Sequence, residues 1–284
     1  MGMEQPPQIP LIQISDKEFH ELIAFVYKKY GIDLTKKRQL IQGRLSNTLK
    51  SKGLINFSQY MELLFNDKSG EEIHHFLNKI TTNHSYFARE NDHFNFLMNT
   101  ALPYLEKERH RDLRIWSAGC SAGQEPYNIA MAIDQYFGPR KAAWDTTILA
   151  TDISTNVLAK AKQGIYPAEN LKGLPPHWIT RYFQKLSNEE YQVADKIRRE
   201  VVYRIFNLMD PFVQKKPFDI IFCRNVMIYF DAQTTNQLVE KFYQATAPGG
   251  YLFIGHSESI NKERTQYRYL CPAIYQKPVG GGRS

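Results

Sequence analysis

The sequence predicts an α/β protein: a Rossmann-like, doubly wound domain over residues 86–284 with a β-rich insertion at about 164–204, preceded by an all-helical domain over residues 1–85. Three observations lead there. The first eighty residues show helical apolar spacing throughout and no strand-like alternation. Residues 114–127, RIWSAGCSAGQEPY, read as a short apolar strand, a turn carrying Gly119 and Gly123, and a helix opening at Glu125-Pro126. Further apolar runs at 148–151, 217–223 and 251–256 alternate with helical patterns, as parallel strands with crossover helices do.

Composition narrows the class. A chain of 284 residues with 43% hydrophobic and 23% charged residues is an ordinary globular composition with room for one large domain and a smaller one. No apolar run reaches membrane-spanning length and the first residues lack a signal-peptide pattern. Cys120, Cys223 and Cys271 are odd in number with no C-x-x-C spacing, so neither a disulfide framework nor a metal site is indicated; a cytoplasmic protein is expected. A net charge of +7 and a pI near 9.1 favour acidic partners without choosing among nucleic acid, protein and membrane surface.

In chain order, Pro6, Pro7 and Pro10 mark a loose lead-in. Ser15 to Glu18 is a capping box, after which Phe19, Leu22, Ile23, Val26 and Tyr30 recur at helical spacing up to Gly31. A second helix fits 36–52, with Ile41, Leu45 and Leu49 on one stripe, and further helices fit 57–65 and 71–80. Between Asp33 and Glu62 there is no acidic residue, yet Lys36, Lys37, Arg38, Arg44, Lys50 and Lys52 are basic. That helix is either a solvated face or a docking face for an acidic helix or a phosphate backbone.

Residues 81–94, TTNHSYFARENDHF, interleave the hydrogen-bonding groups of Asn83, Ser85, Arg89 and Glu90 with Tyr86 and Phe87. A helix follows over 93–105, then the first strand and the glycine turn. Asp152 ends the second strand, where an acidic side chain can accept from both ribose hydroxyls; Ser154 is available to cap the next helix, 154–162, leaving Asp152 for a ligand. Residues 164–204 read as the insertion, Asn207-Leu208 closes its return strand, and 224–229 is the loop at the edge of strand 217–223. A helix over 231–247, a Gly249-Gly250 turn, a strand over 251–256 and an antiparallel pair at 267–270 and 273–277 complete the domain, with an unstructured tail over 278–284.

The glycine turn, Asp152, Asn207 and 224–229 all fall at the C-terminal ends of expected parallel strands, the crevice where open α/β sheets bind ligands. NAD and S-adenosylmethionine sites share this geometry, and the closing hairpin favours the methyl donor's fold. At this point TTNHSYFARE, WSAGCSAGQEPY, ATDIS, FNL, FDIIFCRNVMIYFD and GGYLFIGHSE, in that order, resemble the CheR-type chemoreceptor glutamate methyltransferases over nearly the whole chain.

The resemblance implies S-adenosylmethionine-dependent methylation of receptor glutamates to 5-O-methyl esters, with S-adenosylhomocysteine as product. It implies that Asn83, Ser85 and Arg89 contact the donor from the segment ahead of the first strand, with Ser85 standing where family members often carry Thr. The glycine turn at Gly119 and the side chain of Glu125 would line the methionine end, with Asp152 on the ribose. Asn207, Leu208, Arg224 and Asn225 would complete the pocket, while Arg89 and Tyr229 face the transferring methyl. Implied partners are methyl-accepting chemotaxis receptors, met through the basic helix 36–52 and the inserted β-subdomain by a cytoplasmic monomer recruited to receptor arrays, without membrane insertion or nucleic acid. The insertion's loop LSNEEYQVADK lacks the glycines of receptor-tethering versions. Two other readings compete. A nucleic-acid methyltransferase draws support from the basic charge, but residues 224–227 carry no Asn/Asp-Pro-Pro-Tyr/Phe element; a non-catalytic binding module would have no need of Arg89, Asp152 and Tyr229.

Overall fold

The computed structural model describes residues 11–81 and 85–280; the lead-in 1–10, Asn83 and the last four residues of the tail lie outside them. Two compact units divide the chain, Met1–Thr82 and Asn83–Ser284.

Among its described residues the first unit forms four helices: α1 (Asp16–Tyr30), α2 (Arg38–Ser51), α3 (Phe57–Asn66) and α4 (Glu71–Ile80). The capping box forms as read, with the Ser15 hydroxyl accepting from Glu18 N and the Glu18 carboxylate accepting from Ser15 N, and Gly31 ends α1 at φ 70°. Phe19, Leu22 and Val26 of α1 and Ile41, Leu45 and Leu49 of α2 are buried, the stripes their spacing demands. The basic residues of α2 do not all stand free. Arg38 binds the Asp16 carboxylate and the Ile14 carbonyl, Arg44 donates to the Lys79 carbonyl, and Lys52 pairs with Glu72 at 2.5 Å. Lys36 and Lys37, just ahead of the helix, are exposed.

The second unit opens with α5 (Asp92–Phe96), a π-helical turn (Leu97–Ala101) and α6 (Leu102–Glu108). Then come β1 (Ile115–Ala118), α7 (Gln124–Phe137), β2 (Ile148–Asp152) and α8 (Thr155–Gln163). The insertion supplies β3 (Ile165–Pro167), α9 (Pro176–Tyr182), β4 (Phe183–Lys185), β5 (Glu190–Val193) and α10 (Asp195–Arg198). The chain closes with β6 (Val201–Ile205), β7 (Phe218–Cys223), α11 (Ala232–Ala245), β8 (Thr246–Ile254), β9 (Arg268–Cys271) and β10 (Ile274–Gln276).

Seven strands form the main sheet in the order β6-β2-β1-β7-β8-β10-β9, and β3-β5-β4 form a separate antiparallel sheet. The first five of the seven are parallel and β10 runs antiparallel to both of its neighbours, β8 and β9; the strand order reverses between β1 and β7, the switch point of a doubly wound fold. Every residue of β7 is buried. Alternate residues feed two cores: Ile115, Ile220 and Phe222 pack with α7, while Trp116, Ile221 and Cys223 pack with Leu238, Val239 and Phe242 of α11.

Two expectations need correcting. Val201–Ile205, grouped with the insertion by its alternating pattern, pairs in parallel with β2 as an edge strand of the main sheet; one exposed side makes an edge strand alternate just as an antiparallel one does. Gly249-Gly250 is no turn but part of β8, where the register against β7 shifts between Phe218 and Ile220. A Cβ on Gly250 would lie 2.8 Å from the Asp219 carbonyl, so the glycine serves close strand approach.

Candidate active site

The glycine turn after β1 is folded back onto β2. Gly119 N and Cys120 N both donate to the Thr151 carbonyl at 2.8 and 2.9 Å, with Gly119 at φ 80°, and a Cβ there would collide with Val226. Ser121, also in the left-handed region at φ 49°, donates its N–H to Asp152 Oδ2 at 2.9 Å. Asp152 Oδ1 accepts from Ser154 N at 2.9 Å, while the Ser154 hydroxyl caps α8 by accepting from Val157 N, as its place in the sequence suggests. Burial pushes the Asp152 carboxyl up, partly offset by those backbone donors. Ser121 Oγ is buried without a partner beside it.

Segment 85–90 crosses the same edge and is gripped from two sides. Ser85 O accepts from Gln124 Nε2, and Ala88 N donates to Asn128 Oδ1 at 3.0 Å, both on α7. Phe87 is fully buried, its ring edge-on to Tyr166 and Phe183 of the insertion. Ala88 and Glu90 flank Arg89 at φ 60° and 54°, so Arg89 sits on a sharply bent backbone.

Arg224, at the end of β7, is the centre of the charge network, with a side chain 2% exposed. Its guanidinium donates to Glu90 Oε2 from Nε and Nη2 at 3.1 and 3.0 Å, to Glu125 Oε2 from Nη1 at 3.2 Å, and to the Arg89 carbonyl. Glu125 also accepts from Ser117 Oγ at 2.7 Å. For Glu90, burial works upward but the Arg224 charge and the hydrogen bonds from His256 N and Asn225 win, leaving its carboxyl below the ordinary range. For Glu125 burial prevails over Arg224 and the carboxyl stays raised. Glu90, His93 and His256 also hold possible metal-ligating atoms within 4.8 Å of one another, but the Arg224 cation already supplies the positive charge at Glu90.

Sequence-chosen residues thus converge at the C-terminal edge of β1, β2 and β7. Arg89, Glu125, Arg224 and Asn225 are joined through one hydrogen-bond network centred on Arg224 and Glu90; Ser85 is held separately by Gln124, Gly119 by the Thr151 carbonyl, and Asp152 by Ser121 N and Ser154 N. Asn207 follows β6, whose extension donates Phe206 N to the Asp152 carbonyl, and its own Oδ1 accepts from Met209 N. Leu208 is buried in the apolar cluster that includes Leu238 and Phe242, and its carbonyl accepts from Lys241. Tyr229 ends a single 3-10 turn, Met227–Tyr229, on the loop after β7. Arg224 differs from expectation in kind: its donors serve the protein's own acceptors. Sequence reasoning left Ser121, Glu90, His256 and Glu258 unassigned; for Glu90 the adjacent Arg89 was the available signal, and for Glu258 its place just past the end of a buried strand.

The CheR methyltransferase SAM binding domain matches residues 83–274, and the CheR methyltransferase all-alpha domain matches residues 17–81. The chain belongs to the CheR methyltransferase family. It is 43% identical to a chemotaxis protein methyltransferase of Borreliella burgdorferi across 94% of this chain and 96% of that protein. It is 35% identical to a chemotaxis protein methyltransferase of Escherichia coli across 93% of this chain and 92% of that one. Chemotaxis protein methyltransferase 2 of Vibrio cholerae is 36% identical across 95% and 96% of the two chains. As a CheR methyltransferase, the protein uses S-adenosylmethionine as its methyl donor. All of the described network, from Ser85 to Glu258, lies within the stretch matched by the CheR SAM binding domain.

Proposed function

We propose that this CheR methyltransferase transfers methyl groups to glutamate side chains of methyl-accepting chemotaxis receptors, giving glutamate 5-O-methyl esters, as a cytoplasmic enzyme recruited to receptor arrays. Supporting this are the names of the relatives and the order of motifs along the chain. The observation that carries the chemistry is that the carboxylates of this edge, Glu90, Glu125, Asp152 and Glu258, all serve as hydrogen-bond acceptors within the protein. Such a site suits a nucleophile that arrives already ionised. A glutamate with an ordinary pKa of about 4.3 is almost wholly charged at neutral pH and needs no base.

The donor supplies an electrophilic methyl on a sulfonium. The residues present fit it: Asp152, with two amide bonds accepted, keeps lone pairs for ribose hydroxyls, while Gly119 lets the turn pass close under Val226. The orphaned Ser121 hydroxyl offers a further polar contact. In this reading Asn83 and Ser85 approach the donor from ahead of β1, Glu125 faces its methionine end, and Asn207, Leu208 and Asn225 complete the pocket. Arg224 acts as a positioning residue, fixing Glu125 and the Arg89 carbonyl.

Arg89 holds one oxygen of the incoming carboxylate with its planar fork and leaves the other free to attack. Tyr229 faces the transferring methyl. Both act through alignment, holding oxygen, carbon and sulfur in line. The docking face is the α2 region, where exposed Lys36 and Lys37 present positive charge to acidic receptor helices.

Incubating the protein with label-carrying donor and receptor-containing membranes tests this: alkali-labile label on the receptor is expected, as carboxyl esters require. Arg89→Ala should abolish that label while weakening adenosylhomocysteine binding only moderately. Label resistant to alkali, or full turnover without Arg89, would overturn the reading.

A further inference from the structure

We infer that Glu258 is a positioning residue for methyl transfer, a half-buried carboxylate that fixes the loop carrying Asn225 and Tyr229. The roles of those two residues rest on the function proposed above; the geometry of the clamp does not.

Beyond β8 the chain turns back on itself, with Glu258 N donating to the Gly255 carbonyl at 2.9 Å. That returns the Glu258 side chain to the loop after β7. Oε2 accepts from Gly255 N at 2.5 Å and from Asn225 N at 3.0 Å, and Oε1 accepts from Ile228 N at 3.2 Å. Backbone N–H groups from two separate segments thus converge on one anion, an arrangement of fixed dipoles of the kind that elsewhere binds anionic ligands. Here the protein's own side chain occupies it, and no ion pair reaches that side chain among the described residues.

The clamp holds an otherwise costly backbone. Asn225 is at φ 59°, a left-handed conformation that asparagine enters more readily than other non-glycine residues and that the bonds to its backbone N–H hold in place. Held so, Asn225 directs Nδ2 to Glu90 Oε1 at 3.3 Å, and His256 N, on the Glu258 turn, donates to the same oxygen at 3.2 Å. Gly255 permits the approach, since a Cβ there would collide with Asn225 Nδ2 and stand 2.9 Å from Glu258 Oε2. Burial raises the Glu258 carboxyl, opposed by the N–H donors of Gly255, Asn225, Met227 and Ile228. The loop's own two turns, Tyr229 N to Val226 O and Phe230 N to Met227 O, then place Tyr229 relative to a fixed origin.

The test is Glu258→Gln, an isostere that turns one acceptor oxygen into an NH2 group facing an N–H donor. In the ligand-free variant, amide exchange at Asn225 and Ile228 should accelerate by about tenfold or more, the worth of one charge-assisted hydrogen bond. In the same folded variant the donor KM should rise by about tenfold, with turnover also reduced. Unchanged exchange would overturn the clamp. Faster exchange with KM unaltered, and activity lost only in proportion to unfolded protein, would reduce Glu258 to a structural role and overturn the inference. Should the glutamine variant not fold, Gly255→Ala displaces the same contact and is held to the same two readouts. A wild-type protein that does not bind adenosylhomocysteine would refute the donor reading instead, leaving the exchange result to judge the clamp.

Discussion

Replacing Arg224 by Met keeps much of the side chain's volume and removes the charge that Glu90 and Glu125 share. Their side chains are only 13% and 12% exposed, so solvent screens little of what is lost. Breaking a buried pair by deleting one partner typically costs about 3–5 kcal/mol, because the surviving charge is left uncompensated. In a unit of this size each kcal/mol moves the midpoint by about 2–4 °C, so a fall of about 6–20 °C is expected. The assay is selective, since Trp116, Trp144 and Trp178 all lie in the second unit and their fluorescence reports its unfolding alone.

The deficit should depend on pH with a definite sign. In the native protein the Glu90 carboxyl is lowered, a contribution present above its ordinary pKa and lost as pH falls through the depressed value. Without Arg224, burial is opposed only by the hydrogen bonds from His256 N and Asn225 to Glu90 and from Ser117 to Glu125, and both carboxyls rise. A raised carboxyl makes the folded state bind more protons than the unfolded one, so stability falls as pH climbs through that window. The variant's deficit should therefore widen as pH climbs above the ordinary carboxylate range, and Glu125→Gln in the Arg224→Met background should recover part of it. A midpoint shift under about 2 °C, or a deficit flat in pH, would refute the assigned role of Arg224.

Asp152→Ala should raise the calorimetric dissociation constant for adenosylhomocysteine by about tenfold or more, the worth of a charge-assisted hydrogen bond to a ribose hydroxyl; an unaltered constant would remove Asp152 from the ligand. Charge reversal at Lys36 and Lys37 should cut methylation of receptor-containing membranes and weaken its dependence on ionic strength, with product affinity unchanged. Equal methylation by that double variant would assign the face to ordinary solvent exposure.

Much of this was legible because it is local. A capping box, a glycine turn after an apolar strand, and an acid ending the next strand each depend on neighbours a few residues away. What stayed hidden depends on partners far along the chain. Arg224 and Glu90 are 134 positions apart, and nothing near Arg224 announces that its guanidinium will be consumed by the protein. The charge of α2 read as an unbroken basic run because Asp16 and Glu72, which take up Arg38 and Lys52, arrive from other helices. The Gly249-Gly250 pair misled for a related reason: glycine signals both a turn and a close strand approach, and only the Asp219 carbonyl across the sheet decides between them.

The distribution of backbone strain ties these pieces together. Among the described residues six non-glycine residues have positive φ, and four of them, Ala88, Glu90, Ser121 and Asn225, stand on the three loops of the proposed site. Each such residue costs on the order of 1–3 kcal/mol and persists only where its surroundings over-determine it. Each is held by a named polar bond: Ala88 N to Asn128, the Glu90 carboxylate to Arg224, Ser121 N to Asp152, and Asn225 N to Glu258. Three of those four bonds end on a carboxylate of the chain. A reaction that required proton abstraction would need one such carboxylate free and poised near neutrality. A reaction whose nucleophile arrives ionised has no such need, and the acids can serve as fixed anions that hold strained loops in place. The same reasoning predicts where substitution is least forgiving: at residues that never touch the methyl group but determine where the ones that do must stand.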